Sequence, residues 1–302
     1  QQDFIFTVAD TFYIPISYTA AVIQNCNQTE TATIQVIVNP GPVADFSISN
    51  VNCLKDTVFF TGTSTTAGYT INTYQWDFDD ATTQSTVNAA KRFTTSGSQD
   101  IRYRIYATNG CAGDTIKTIN IAPEPISKIG ASSPACASDA VLISDTSSII
   151  SGSITSWEYN FGDGTTQVRN NNNNFNHAYS LPGTYTIKLV TVSNNNCKSD
   201  TAYRTVTVFA KPIAKFGYNN ICVGDSIRIT DSSSIAIGSI ISWEYNFGDG
   251  TSVVRTTNTP FYHTYNTGGS FLATLVTTSN LSCKSDTFKT TVVVASKPLA
   301  TF

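Results

Sequence analysis

The 302-residue sequence contains no methionine, only two histidines and few charged residues. Charged side chains make up 13% of the chain, about half of the ~25% typical of a soluble domain. The net charge is −3 and lysine and arginine form no cluster, which argues against nucleic acid and anionic membrane as partners. The longest apolar runs, such as Val292–Ala295, have the length of a strand, so no membrane span is predicted.

The beginning of the chain, Gln1, shows no signal peptide, so we expect a mature or excised piece whose export signal or anchor lies outside it. Helix signals are lacking too, because no segment combines a cap with a 3.6-residue period. Threonine, serine, asparagine, valine and isoleucine are abundant instead, and they favour strands and turns.

Related proline-led segments recur along the chain, at steps of 83, 87 and 86 residues, and begin at Pro42, Pro125, Pro212 and Pro298. The ten residues Ser156–Thr165 also recur unchanged at Ser242–Thr251. These repeats predict full domains at 42–124, 125–211 and 212–297, the second half of a preceding domain at 1–41, and the first strand of a following one at 298–302.

Within a repeat, the apolar residues have a period of two. Gly183–Ser193 and Thr201–Phe209 alternate as half-buried strands do, and the asparagine-rich stretch between them is typical of a turn. Short strands at close spacing predict an all-β chain of sandwiches.

Each repeat resembles a PKD (polycystic kidney disease) domain, an immunoglobulin-like β-sandwich. The resemblance rests on a tryptophan, a Phe-Gly-Asp-Gly turn, a His-x-Tyr segment and a following Gly-x-Tyr or Gly-x-Phe strand. The first repeat is divergent, since it carries Trp76 followed by Asp-Phe-Asp-Asp, and Lys91–Phe93 in place of His-x-Tyr. The residues that carry the motif are Trp76, Trp157, Gly162, Asp163, Gly164, His177, Tyr179, Trp243, Gly248, Asp249, Gly250, His263 and Tyr265.

The motif residues are interpreted as framework. An aspartate between two glycines suits a tight turn, and one histidine per repeat suits a hydrogen bond to that turn better than a three-residue catalytic site. In this fold a strand tryptophan packs between the sheets. No cysteine, histidine or carboxylate cluster has zinc or EF-hand spacing, so no cofactor is expected, with weak calcium binding at domain junctions as the alternative.

The seven cysteines are regularly placed. Cys53, Cys136 and Cys222 precede the second strand of a repeat, whereas Cys26, Cys111, Cys197 and Cys283 lie in a last hairpin. Such use predicts disulfides in an extracellular chain.

Two pairings of these cysteines remain open. The bonds within repeats would be 53–111, 136–197 and 222–283. An immunoglobulin-like topology separates those positions by a strand of roughly 26 Å, whereas a disulfide needs Cα atoms within about 7 Å. This geometry favours bonds between successive repeats, 53–197 and 136–283, with Cys26, Cys111 and Cys222 bonded outside the sequence.

A Cys-x-x-Asp pattern follows most cysteines, and four of these aspartates begin Asp-Ser/Thr-apolar. The third residue of these four is alanine, valine or isoleucine, and the pattern resembles the O-glycosylation acceptor of exported Bacteroidota proteins. A turn followed by a β-branched strand residue is the alternative. The candidate acceptors are Thr57, Thr115, Thr201 and Ser226.

The paired cysteines and Asn/Thr-rich strands are similar to tandem PKD arrays on the surface of Bacteroidota, which are exported by the type IX route as adhesins, gliding-associated proteins or appendages. The resemblance implies a non-enzymatic, extracellular stalk, adhesin shaft or filament subunit. Its expected partners are neighbouring repeats, further copies in a fibre, and surface glycans or proteins. Three alternatives remain: a spacer or carbohydrate-binding region of a secreted hydrolase, a subunit whose split end domain is completed by a neighbour, and an S-layer-like coat.

Overall fold

The computed structural model describes residues 3–21, 27–49, 53–219 and 221–297, and this part contains strands and no α-helix. It therefore offers no helix of the length and hydropathy needed to cross a membrane. The prediction of an all-β chain of immunoglobulin-like sandwiches is confirmed. The chain divides into two compact units, Gln1–Glu124 with Ile150–Gly152 and Asn195–Cys197, and Pro125–Ile149 with Ser153–Asn194 and Lys198–Phe302.

The first unit begins with an antiparallel ribbon of β1 (Thr11–Ala21) and β2 (Asn27–Ile37). The register places Ile14 opposite Ile34, so the apolar residues share one face, and Ile34 is 48% exposed. The predicted hairpin cysteine Cys26 and the predicted strand at 298–302 lie outside the described residues.

The first full sandwich has a three-stranded sheet in the order β3-β4-β7 and a four-stranded sheet in the order β6-β5-β8-β9. Its strands are β3 (Phe46–Ile48), β4 (Thr57–Gly62), β5 (Ile71–Phe78), β6 (Thr83–Gln84), β7 (Asn88–Arg92), β8 (Gly97–Ala107) and β9 (Ala112–Ile121).

The second sandwich lies in the second unit and has sheets in the orders β10-β12-β15 and β11-β17-β16-β13-β14. Its strands are β10 (Ile129–Ala131), β11 (Ala135–Cys136), β12 (Ala140–Asp145), β13 (Ile154–Asn160), β14 (Thr166–Arg169), β15 (Phe175–Ala178), β16 (Gly183–Ser193) and β17 (Ala202–Phe209).

The third sandwich repeats that topology in the orders β18-β20-β23 and β19-β25-β24-β21-β22. Its strands are β18 (Phe216–Gly217), β19 (Ile221–Cys222), β20 (Ser226–Asp231), β21 (Ile240–Asn246), β22 (Ser252–Arg255), β23 (Phe261–Thr264), β24 (Gly269–Ser279) and β25 (Phe288–Ala295).

The period-two pattern explains how each sandwich forms its core. On β16, Ile187 and Leu189 are fully buried while Lys188 between them is exposed. Farther along, Thr191 is buried as well, and the hydroxyl of Ser127 lies 2.9 Å from its hydroxyl. A buried polar side chain is tolerated because it is hydrogen-bonded.

The tryptophans share the core but not one position in the fold. Trp76 pairs with Tyr103, the sixth residue after the glycine that begins β8. In the second domain the equivalent pairing is made by Tyr159, while Trp157 lies two residues earlier. Tyr74 fills the position of Trp157 in the first domain. Each repeat therefore has one tryptophan, but Trp76 occupies a different position on its strand from Trp157.

Candidate functional site

The Gly-Asp-Gly turn that follows β13 is held by its aspartate. Asp163 Oδ1 accepts hydrogen bonds from the Thr165 backbone N–H at 2.9 Å and from its hydroxyl at 2.6 Å. Gly162 and Gly164 have φ of 81° and 91°, a region that side chains other than glycine rarely adopt. The turn sequence thus follows from backbone geometry and a local carboxylate acceptor.

The histidine of the motif meets the same aspartate. His177 Nε2 lies 2.8 Å from Asp163 Oδ2, and its ring stacks on Phe161 with centroids 3.9 Å apart. Burial opposes ionisation of the Asp163 carboxyl, but the hydrogen bonds from Thr165 and His177 outweigh it and lower the pKa below the ordinary value. The Thr165 hydroxyl bonds the aspartate rather than the histidine, so the group lacks the nucleophile–base contact of a catalytic triad.

The third domain reproduces this geometry with Asp249 and His263, whose Oδ2 and Nε2 atoms lie 2.9 Å apart. Burial again opposes ionisation of Asp249, and the hydrogen bonds from Thr251 and His263 lower its pKa. Gly248 and Gly250 have φ of 79° and 92°. The recurrence of the same contacts is typical of framework.

The divergent first domain builds an equivalent turn from different residues. Asp80 accepts from the Thr82 N–H and hydroxyl, as Asp163 does from Thr165. Lys91 forms a salt bridge with Asp80, and its ammonium lies 5.4 Å from the centroid of the Phe78 ring. The hydrogen bond from Lys91 lowers the pKa of Asp80 to about 2. A lysine thus takes the place that histidine has in the other domains.

The tyrosine of the motif secures the turn from the core side. The buried hydroxyl of Tyr179 donates to the Phe161 carbonyl oxygen at 3.0 Å, and Tyr265 makes the same bond to Phe247. The first domain has Phe93 here, which is buried without a hydroxyl.

The tryptophans are core residues, with exposed fractions of 0% for Trp76 and 6% for both Trp157 and Trp243. Trp157 Nε1 donates to Asp145 Oδ2 at 2.9 Å, a partner that the sequence reasoning missed. The Asp-Ser/Thr-Ser-Ser pattern of Ile143–Ser148 recurs at Ile229–Ser234, but Trp243 Nε1 has no hydrogen-bond partner among the described residues, so the pattern alone does not signal this bond.

Two disulfides join residues of different repeats. Cys53 bonds Cys197 with Cα atoms 5.5 Å apart, and Cys136 bonds Cys283 with Cα atoms 5.7 Å apart. These are the bonds favoured by the topology, rather than those within repeats. Their sequence separations are 144 and 147 residues, and the two loops overlap between Cys136 and Cys197.

Two of the cysteines that precede the second strand, Cys136 and Cys222, occupy a short element that the sequence did not predict. Cys136 ends β11, which pairs in parallel with the last strand β17, and Cys222 ends β19, which pairs likewise with β25. Cys111 and Cys222 are half-buried free thiols within the described part of the chain. Their expected bonds to partners outside the sequence stay predictions.

The other predicted sites are untested. Within the described ranges no three histidine, cysteine or carboxylate side chains come together as a metal-binding group, and calcium at domain junctions stays a prediction. Thr57 and Ser226 are exposed, whereas Thr115 and Thr201 are half-buried. O-glycosylation of these residues likewise stays a prediction.

Comparison with known structures finds that the chain is similar to single PKD domains and to a protein of several domains. The chain is 26% identical to the PKD1 domain of the Vibrio cholerae metalloprotease PrtV, over 27% of this chain and 98% of that one, with a TM-score of 0.26. For the PKD1 domain of Vibrio anguillarum Epp the identity is 22%, the coverages are 28% and 95%, and the TM-score is 0.26. Three N-terminal domains of the bacteriophage RB49 outer capsid protein Hoc are 11% identical to this chain, over 86% of this chain and 99% of that one, with a TM-score of 0.35.

Comparison with protein families matches the PKD domain three times, at residues 39–123, 120–208 and 209–294. These ranges cover more than half of the chain and contain the turn, histidine and tyrosine motifs described above. PKD domains are non-catalytic modules and are typically extracellular. The chain therefore belongs to the PKD domain family, as a tandem array of its β-sandwiches.

Proposed function

We propose that this chain is a segment of an extracellular stalk, adhesin shaft or surface filament that carries mechanical tension, in which disulfides link successive PKD domains. The observation that carries the proposal is the pair of bonds Cys53–Cys197 and Cys136–Cys283, each of which joins two family matches rather than closing one. A bond within a domain would stabilise that domain alone, whereas these bonds also restrict separation of neighbours.

The linker between the second and third domains supports the same role. Only Ala210–Lys215 lies between β17 and β18, and Ala210 and Pro212 are buried. Proline fixes φ near −65°, which limits the conformations of the junction.

The two disulfides close loops with sequence separations of 144 and 147 residues. In the chain-entropy description, closing a loop of that length contributes about 5 kcal/mol per disulfide.

The assignment to a group of organisms and an export route rests on the paired cysteines and the Asn/Thr-rich strands of the sequence. We place the chain among surface proteins of Bacteroidota exported by the type IX route, with neighbouring repeats as its partners and O-glycans on one or more of Thr57, Thr115, Thr201 and Ser226. The intact mass of the native protein tests the modification, because a mass equal to the bare chain contradicts it.

Peptide mapping without reduction tests the bonds that carry the proposal. We expect cross-linked peptides that contain Cys53 with Cys197 and Cys136 with Cys283. Recovery of Cys136 bonded to Cys197 would refute the inter-domain linkage.

Immunoelectron microscopy of the producing cells tests the role. An antibody raised against this chain is expected to label a projecting shaft or fibre. Labelling only of a released protein that carries a hydrolase domain would instead assign the chain as an enzyme spacer.

A further inference from the structure

The outer face of the three-stranded sheet in the third domain carries a pocket of about 520 Å³. Its residues alternate with core residues on β20, where Ile227 and Ile229 point inward while Ser226, Arg228 and Thr230 point outward. Tyr262 on β23 lies directly opposite Arg228 and is 68% exposed. The sandwich core does not need these outward side chains.

One side of the pocket is preorganised. The Tyr218 hydroxyl donates to the Thr291 carbonyl oxygen at 2.7 Å, and Asn219 Oδ1 accepts from the Arg228 backbone N–H at 2.8 Å. Gly217 opens the floor, because a Cβ built there would meet no atom within 4 Å. Tyr218 and Asn219 therefore form a fixed border, and Gly217 leaves the floor beside them open.

Arg228 supplies the charge of the pocket. Among the described residues no carboxylate lies within ion-pair distance of its guanidinium, whereas Lys117, Lys198, Lys211 and Lys297 each pair with an aspartate or glutamate. A guanidinium matches the planar geometry of a carboxylate and can bind it through two parallel hydrogen bonds.

The second domain provides an internal comparison at matching register. Leu142 and Asn176 face each other where the third domain has Arg228 and Tyr262. Gly130 matches Gly217, but a Cβ there would meet the Ser144 hydroxyl at 2.4 Å, so the same position is closed. The second domain therefore lacks the arginine–tyrosine pair and the open glycine position that form this pocket in the third domain.

We propose that this pocket, lined by Tyr218, Asn219, Ser226, Arg228, Thr230 and Tyr262, binds a saccharide that carries a carboxylate. The Tyr262 ring offers an exposed face for a sugar ring, Arg228 offers a partner for the carboxylate, and the hydroxyl and amide groups suit sugar hydroxyls. Its volume lies within the range of small-ligand sites. A peptide that extended the sheet would use an edge strand, whereas these residues project from the face.

The proposal gives the adhesive side of the proposed function a ligand class and rests on it. The two are separable by experiment, since loss of saccharide binding would leave the disulfide map and the microscopy unchanged. The proposed role as a stalk does not depend on this pocket.

A glycan array that contains acidic saccharides, their neutral counterparts and acidic peptides tests the pocket with the intact 302-residue chain. We expect binding to one or more carboxylate-bearing saccharides, and affinity at least about tenfold lower for the neutral counterpart. Arg228→Gln and Tyr262→Ala should each weaken that binding about tenfold, while Leu142→Gln and Asn176→Ala in the second domain should not.

The variants alter exposed residues, and an unchanged melting temperature for each will show that the fold is intact. Absence of acidic-saccharide binding, equal binding of neutral counterparts, or unchanged binding by Arg228→Gln overturns the proposal. Binding of acidic peptides in place of saccharides overturns it as well.

Discussion

The three PKD turns share a pairing of a carboxylate with a nitrogen side chain, although their sequences differ. In the second and third domains a histidine stacks on phenylalanine and contacts the turn aspartate. In the first domain Lys91 contacts Asp80 beside the Phe78 ring. What the fold requires is a partner for the carboxylate rather than an imidazole.

The Asp80 carboxyl is expected to titrate with a midpoint near pH 2 in the folded chain, because the hydrogen bond from Lys91 stabilises its ionised form. The unfolded value is about 3.9, so ionised Asp80 stabilises the folded state above that pH and the contribution is lost as the pH falls toward 2. Carbon-detected NMR of the carboxyl measures the midpoint.

Lys91→Gln should move this midpoint up toward about 4. Lys55→Gln is the control, because Lys55 pairs with Glu124 and not with Asp80. An Asp80 midpoint that does not respond to Lys91→Gln would contradict the assigned contact.

The two glycines of the second-domain turn should differ in their tolerance of alanine. A Cβ at Gly162 would lie 2.7 Å from the Thr186 carbonyl oxygen, in addition to the cost of positive φ, whereas at Gly164 it would meet nothing within 4 Å. We expect Gly162→Ala to lower the free energy of unfolding by about 3 kcal/mol and Gly164→Ala by about 1 kcal/mol. Urea unfolding measures both, and equal losses would contradict the close approach.

At the scale of elements, the short strands β11 and β19 complete the sheet by parallel pairing with the last strand of their domain. They are two residues long, so they carry no detectable alternation. Each ends in a cysteine. The position of that cysteine is thus set by an element that periodicity cannot reveal.

The long strands and the turns were predictable because each follows from local chemistry. Gly183–Ser193 shows its inward face by alternation, and the Gly-Asp-Gly turn shows its backbone requirement by composition. The position of Trp76 was not predictable from the sequence, because either of two inward positions on β5 can hold a large ring. The pocket around Arg228 was also beyond the repeat pattern, since it depends on outward residues brought together from three strands.

The link between Tyr179, which follows β15, and the turn before β14 can be tested through one hydroxyl. Tyr179→Phe removes the buried donor to the Phe161 carbonyl and is expected to cost about 1–2 kcal/mol in the free energy of unfolding. Tyr185→Phe is the matched control, because its hydroxyl bond to Leu181 is exposed. A loss for Tyr185→Phe as large as that for Tyr179→Phe would show that the buried bond has no special weight.

At the scale of the whole molecule, the overlapping disulfide loops limit how far the chain can be extended. With both bonds intact, the shortest covalent path from Cys53 to Cys283 runs through about 60 residues, those from Cys136 to Cys197, instead of about 230. At about 3.6 Å per residue, reduction should add roughly 600 Å to the fully stretched length.

Single-molecule stretching of the chain with and without reductant measures this difference. Cys222→Ala is the control, since Cys222 is a free thiol in the structure and its removal should leave the oxidised length unchanged. Equal stretched lengths before and after reduction would refute the loops.

The same overlap has a consequence for cleavage by proteases. Because the loops 53–197 and 136–283 share the segment from Cys136 to Cys197, every peptide bond between Cys53 and Cys283 is spanned by at least one disulfide. A protease that cuts once anywhere in that stretch leaves both fragments covalently joined. An exposed loop such as Asn170–Asn174 can therefore be nicked without breaking the covalent continuity of the chain.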